Sequence, residues 1–261
     1  MRQFTVSPGE EGQNVFKFAS RILAKAPGSM VHKFIRNKNV ELNGKKAAEK
    51  TVLRSGDVVS FFLSDETFNK FAAQSKPEGG KKQLKAALSV FEGNVLFQNE
   101  HVLFINKWDN IISQSDGGGE VSLNDLLLEY MGDKFKSYTV KPSIANRLDR
   151  NTTGVVACGL SATGLKELNA LIKDRDIKKT YLAFSVGKSS LSGEYTAFLG
   201  KDNASNTVTV SDRPENDSFR EIKTGFKVHC TLKTENEIIT VYEVRLITGR
   251  SHQIRAHLKY L

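Results

Sequence analysis

Apolar residues recur along this chain at two different periods, and each change of period marks an element. Val15, Phe18, Ala19, Ile22 and Leu23 stand at i, i+3, i+4, i+7 and i+8, which predicts one buried helix face over 14–25. Pro27-Gly28-Ser29 ends that pattern, with Ser29 placed to cap a second short helix that turns Met30, Phe34 and Ile35 inward. Lys33, Arg36 and Lys38 are left on its outer side. Val40-Glu41-Leu42 is followed by Asn43-Gly44, a strong turn dipeptide. Arg54-Ser55-Gly56-Asp57 is a second turn, and 58–63 reads as a strand. Residues 12–64 thus predict a unit of two helices and a few short strands.

The pattern then lapses. Residues 65–92 hold the polar cluster Lys76-Pro77-Glu78-Gly79-Gly80-Lys81-Lys82 and read as a linker, with a turn of helix over 83–91. A second unit starts near residue 93. Strands are expected at 95–97 and 101–105 around a tight turn, and Gly117-Gly118-Gly119 is a loop. Leu123, Leu126, Leu127 and Met131 predict an amphipathic helix capped by Ser122. Residues 155–160 read as a buried strand, and Leu165, Leu168, Leu171 and Ile172 as the helix after it. Further strands are expected at 181–186, 194–199, 207–210, 226–232 and 237–247. Many strands with few helices predict an α+β fold rather than a regular parallel sheet.

Composition narrows the class. The 261 residues are 39% apolar and 26% charged, as in a folded globular chain. No apolar run approaches the roughly 20 residues of a membrane span, and no secretory signal is visible. The two cysteines, Cys158 and Cys230, form no paired motif, which argues against a disulfide framework or zinc finger and for a cytoplasmic location. The charge is uneven. Residues 1–90 carry 16 Lys and Arg against 8 Asp and Glu, so they hold eight of the nine excess positive charges. A localised basic region suits a polyanion such as nucleic acid, or equally a solvated surface.

Several motifs are decoys. Gly187-Lys188-Ser189 resembles the end of a phosphate loop, but Leu182 stands where its first glycine belongs. His252 and His257 lack companions at metal-ligand spacing, so no metal site is expected. Three segments remain. In Asn146-Arg147-Leu148-Asp149-Arg150-Asn151-Thr152-Thr153-Gly154, an acid sits between two arginines at a strand entrance. The neighbouring positive charge favours its ionised form, which could serve as nucleophile or stabiliser, or simply form a surface ion pair. In Lys178-Lys179-Thr180-Tyr181-Leu182-Ala183, the tyrosine could stack on a base or anchor a core. Thr248-Gly249-Arg250-Ser251-His252-Gln253-Ile254-Arg255-Ala256-His257 is dense in donors for phosphate or carboxylate, or is a solvated helix start.

Taken in this order, "NRLDRNTTG", "KKTYLAF" and "ITGRSHQIRAHL" resemble the three blocks of the RluA-type family of pseudouridine synthases. "VLFINK" resembles the start of that family's catalytic domain, and "HKFIRNKNVELNGKKAAEKTVLRSGDVVSFF" resembles the S-four-type RNA-binding domain. The resemblance implies an RNA-binding domain over 1–66, a linker over 67–92 and a catalytic domain over 93–261. That catalytic domain would be a mixed, mainly antiparallel sheet with flanking helices. It implies that Asp149 is the essential catalytic residue and that Tyr181 stacks on the target uracil. Arg255 would pair with Asp149, and Arg147 would enter the RNA stack where the uridine leaves. Arg250 and His252 would bind substrate, and Lys33, Arg36, Lys38 and Lys45 would face RNA phosphates.

The activity implied is a redox-neutral isomerisation of uridine to pseudouridine that needs no cofactor. The partner implied is RNA, most of all large-subunit ribosomal RNA, met by a monomer in the cytoplasm. Two other readings follow from the same residues: a tRNA pseudouridine synthase, and an RNA-binding or ribosome-assembly protein with an inactive catalytic fold. Three departures stand out. Asn146 replaces the family's usual His, and Lys107-Trp108 replaces its Lys-Pro pair. Family members also continue beyond the position of Leu261 with further strand and helix, so a truncated catalytic domain is expected.

Overall fold

Short strands and turn chemistry build the first elements. The computed structural model describes residues 1–72, 81–115, 119–132, 139–202 and 207–261, with the backbone alone at 81–86. The chain divides into two units, Met1–Ala170 and Leu171–Leu261.

The first unit opens with β1 (Arg2–Thr5), a 3-10 turn (Pro8–Glu10), α1 (Val15–Ile22), α2 (Gly28–Arg36), β2 (Val40–Leu42), β3 (Lys45–Lys46) and β4 (Val58–Phe61). The strands form an antiparallel sheet in the order β1-β4-β2-β3. Asn43 (φ 51°) and Gly44 (φ 72°) are both left-handed, as a two-residue turn between β2 and β3 requires. Helix α2 starts two residues earlier than expected. Pro27, not Ser29, occupies the cap position, where its fixed φ of −57° already suits a helix entrance. Its inward face is also rotated by one residue: Val31 and Ile35 are buried as an i, i+4 pair, while Met30 and Phe34 flank them.

The segment read as a linker holds two helices. α3 (Asp65–Phe71) is capped by Ser64 and buries Phe68 against Phe4 and Phe61, at ring distances of 6.1 and 5.9 Å. α4 (Lys81–Gly93) buries Phe91 against Tyr130, at 5.1 Å. Leu84, Ala87, Leu88 and Phe91 do stand at a helical period, and it is the polar Pro/Gly cluster before them that gives the segment the look of a linker. Most of the Lys76–Lys82 cluster lies outside the described residues.

A second sheet follows in the same unit, from β5 (Val95–Gln98), β6 (Val102–Lys107), β7 (Ser143–Ile144) and β8 (Gly154–Gly159), in the order β5-β6-β8-β7. α5 (Leu123–Met131) begins with a capping box in which Ser122 and Asp125 satisfy each other's backbone N–H. Part of the Gly117–Gly119 loop lies outside the described residues. α6 (Ala162–Lys173) completes this part of the chain.

The second unit is one antiparallel sheet of β9 (Thr180–Val186), β10 (Ser192–Asp202), β11 (Thr207–Ser211), β12 (Arg220–Lys233) and β13 (Ile238–Leu246), in the order β11-β10-β12-β13-β9. Strand β12 starts six residues before the expected 226, because Ile222, Thr224 and Phe226 alternate inward and a buried threonine hides the pattern. α7 (Gln253–Tyr260) packs Ile254 and Leu258 on Phe226, Tyr242 and Val244. The architecture is α+β with antiparallel sheets.

Candidate active site

The Asp149 loop is built by its backbone. Leu148 is buried, and Ser113 grips it from both sides: the Ser113 hydroxyl donates to the Leu148 carbonyl at 2.6 Å and accepts from the Leu148 N–H at 3.0 Å. Asn146 holds the entrance, its Oδ1 accepting from Ala157 N at 2.7 Å. The Thr152 N–H donates to the Asp149 carbonyl at 3.0 Å and closes a turn after it. With Leu148 pinned inward, its neighbours are an exposed Arg147 and a half-buried Asp149. Arg150 forms a two-pronged ion pair with Glu120, so this arginine takes the surface role that the sequence left open.

Beneath this loop lies a residue that the sequence reading did not select as functional. Lys107, fully buried at the end of β6, donates from Nζ to the carbonyls of Trp108 (2.9 Å), Ile111 (3.0 Å) and Arg150 (2.8 Å). Three carbonyl dipoles aimed at one ammonium fix both ends of the loop system. Burial pushes the Lys107 pKa down, the nearby carboxylates of Asp109 and Asp149 oppose that shift, and Arg150 adds to it. The strand period could have found it: Leu103, Ile105 and Lys107 share one face of β6, and the first two are core. The departure at Trp108 leaves this clamp intact, because the lysine uses only that residue's carbonyl.

The third block is held by a buried polar ladder in the second unit. Gln253 Oε1 accepts from Thr248 Oγ1 and from Arg250 N, both at 3.0 Å. Its Nε2 donates to Thr224 Oγ1 at 2.9 Å and to the Lys223 carbonyl at 3.2 Å. One turn on, His257 Nδ1 meets the same Thr224 hydroxyl at 3.0 Å, and Thr248 Oγ1 accepts from Lys223 N at 2.8 Å. Glutamine and histidine four apart therefore share the helix face that docks on β12. Burial pushes the His257 imidazole below its usual pKa.

This ladder leaves Arg250 and Arg255 exposed and His252 partly so. His252 sits at the N-terminal cap of α7 in the left-handed region (φ 57°), and its Nδ1 meets the Arg255 guanidinium. Tyr181 is half-buried on β9 opposite Val244 and packs on the same core cluster as Ile254 and Leu258. Tyr181, Arg250, His252 and Arg255 thus belong to the second unit, and Arg147 and Asp149 to the first. Lys33 and Arg36 lie in the last turn of α2, with Lys38 just after it and Lys45 on β3, all exposed.

Comparison with known proteins gives one consistent result. A family model described as RNA pseudouridylate synthase matches residues 101–260. An uncharacterized RNA pseudouridine synthase of Mycoplasma genitalium is 29% identical over 98% of this chain and 77% of its own length. A protein of Rickettsia bellii named ribosomal large subunit pseudouridine synthase C is 24% identical over 94% of this chain and 78% of its own. Among solved structures, human RNA Pseudouridylate Synthase Domain Containing 4 superposes with a TM-score of 0.55 at 18% identity, covering 68% of each chain.

Proposed function

The chain belongs to the RNA pseudouridylate synthase family, and on that premise we propose that it isomerises specific uridines of large-subunit ribosomal RNA to pseudouridine. The observation that carries this is the family match over residues 101–260, which takes in all three blocks. The relatives named for the ribosomal large subunit support the choice of RNA. The RNA-binding role is assigned to the basic surface of α2, from Lys33, Arg36 and Lys38.

The chemistry follows from the groups at hand. The target uridine leaves the RNA stack, at a cost of a few kcal/mol, and the Arg147 guanidinium fills the place it vacates. Tyr181 stacks on the uracil. The bond from ribose C1′ to N1 breaks with the Asp149 carboxylate as the essential group. The uracil turns, C5 bonds to C1′, the C5 proton leaves and N1 gains a proton. Tyrosine has an ordinary pKa of about 10, so it assists that proton transfer rather than acting as a free base. Nothing is oxidised or reduced, so the reaction needs no cofactor. The enzyme acts as a monomer in the cytoplasm.

The test is tritium release from RNA labelled at uracil C5. Large-subunit RNA is expected to release tritium with the wild-type chain and none with Asp149→Ala, which keeps its RNA affinity. Turnover by Asp149→Ala overturns the catalytic assignment. Release from tRNA alone overturns the substrate.

A further inference from the structure

A seam of buried polar contacts joins the N-terminal module to the chain that leads into the Asp149 loop, all within the first unit. Its centre is Glu10, which is fully buried. One carboxylate oxygen accepts from Ser7 N (2.9 Å) and Ser7 Oγ (2.8 Å). The other accepts from Thr139 N (2.7 Å) and Thr139 Oγ1 (2.9 Å), 129 residues away in sequence. Buried Gln13 extends the seam, donating to Thr139 Oγ1 at 2.7 Å and accepting from Arg21 Nη1 at 3.0 Å. The donations run in one direction, Arg21 to Gln13 to Thr139 to Glu10, so every member can be satisfied at once.

A second contact lies alongside. Gly12 has a φ of +86°, and a Cβ there would stand 3.0 Å from Thr163 Oγ1. Thr163 Oγ1 also donates to the Glu11 carbonyl at 3.4 Å. The same short stretch is sewn into the module: Gly12 N donates to the Leu53 carbonyl and Leu53 N to the Gln13 carbonyl, at 3.0 and 2.9 Å. Beyond Thr139 the chain passes through β7, just after which Ala145 N bonds the Ala157 carbonyl at 2.7 Å, and then enters the loop of Arg147 and Asp149. A module tied only by a linker needs none of this. A buried carboxylate with four donors is costly to assemble and is retained where it fixes one arrangement.

We propose that Glu10, through Thr139, locks the N-terminal module at a fixed offset from the Asp149 loop, so that RNA held on α2 presents only a uridine at that distance. This rests on the reading of α2 as an RNA surface and of Asp149 as the catalytic residue. The substrate it selects is a structured RNA long enough to touch both places, in preference to an isolated target hairpin.

The experiment uses the full chain, with Glu10→Ala and the milder Thr139→Val, which removes one hydroxyl and keeps the backbone donor. Amide exchange at Thr139 reads the lock directly and is expected to quicken about a hundredfold in Glu10→Ala and less in Thr139→Val. Tritium release is then compared on a large structured rRNA fragment and on the isolated hairpin. The lock variants are expected to lose about tenfold in kcat/KM on the fragment, mainly through KM, and to keep the wild-type value on the hairpin. An equal fall on both RNAs reduces Glu10 to a stability role and overturns the proposal. Unchanged preference for the fragment with fast exchange at Thr139 also overturns it. A wild-type chain that turns over neither RNA defeats the underlying functional reading, while exchange at Thr139 still reports on the lock itself.

Discussion

Two loops carry the arginines and the acid of the candidate site, and they are held by opposite means. The Asp149 loop is gathered by a buried cation, Lys107, on three backbone carbonyls, with Ser113 pinning Leu148. The Thr248–His252 loop is gathered by neutral groups, with Gln253 and His257 meeting one threonine hydroxyl on β12. A cation in a dry site is costly to desolvate, so it must be matched fully; a neutral ladder costs less and spreads the work over several weak bonds. The charged device concentrates failure in one residue. The neutral one distributes it, and adds a titratable ring.

Removing the cation is the strongest way to break this comparison. Lys107→Met fills the same volume but leaves three carbonyls, that of Ile111 buried and those of Trp108 and Arg150 partly so, without their donor, an expected loss of about 3 kcal/mol. Thermal melting should show it as a fall of about 8 °C in Tm. Lys107→Arg is expected to fail too, since a planar guanidinium cannot point three donors at carbonyls arranged around one ammonium. A Lys107→Met protein that melts with the wild type would show that the clamp contributes nothing.

The neutral side is probed by Gln253→Leu, which removes four hydrogen bonds at once and leaves Thr224 with His257 alone and Thr248 with Lys223 alone. The expected loss is about 2 kcal/mol, smaller than at Lys107 because both threonine hydroxyls keep a second partner. Urea unfolding gives the number, and a value above that of Lys107→Met would reverse the ranking of the two devices. A finer cut is Ser113→Ala. It frees the N–H and carbonyl of Leu148 for about 1 kcal/mol, and lowers kcat more than RNA affinity because Arg147 and Asp149 flank the freed residue. Unchanged kcat with lowered stability would detach Leu148 from the catalytic loop's geometry.

Much of this was legible beforehand, for reasons that can be stated. Apolar alternation marked β6, β8 and the strands of the second unit, and Ser122 announced α5. The three blocks carried the candidate residues because their order and spacing are specific. The supports were hidden because they are polar. Lys107 sits on a core face of β6, where a sequence reader expects a surface lysine. Gln253 looks like one more solvated residue until Thr224 is found beneath it. Glu10 and Thr139 are 129 residues apart, and no local pattern links them. Apolar burial leaves a period in the sequence, whereas a buried polar pair leaves none.

The smallest expected effect separates the two devices by pH. The His257 imidazole is fully buried, its Nδ1 is committed to Thr224, and its buried Nε2 has no hydrogen-bond partner among the described residues. Burial lowers its folded pKa below 6.5, the value it regains on unfolding. Below 6.5 the unfolded chain therefore takes up a proton that the folded chain resists. The stability that the neutral ring supports is whole above that value and is lost as the pH falls toward the lowered folded pKa. Urea midpoints at about pH 7 and about pH 5 should fall more for the wild type than for His257→Leu, in which the ring no longer titrates. Parallel loss in wild type and His257→Leu would show that acid acts elsewhere, and that the neutral ladder is no more pH-sensitive than the charged clamp.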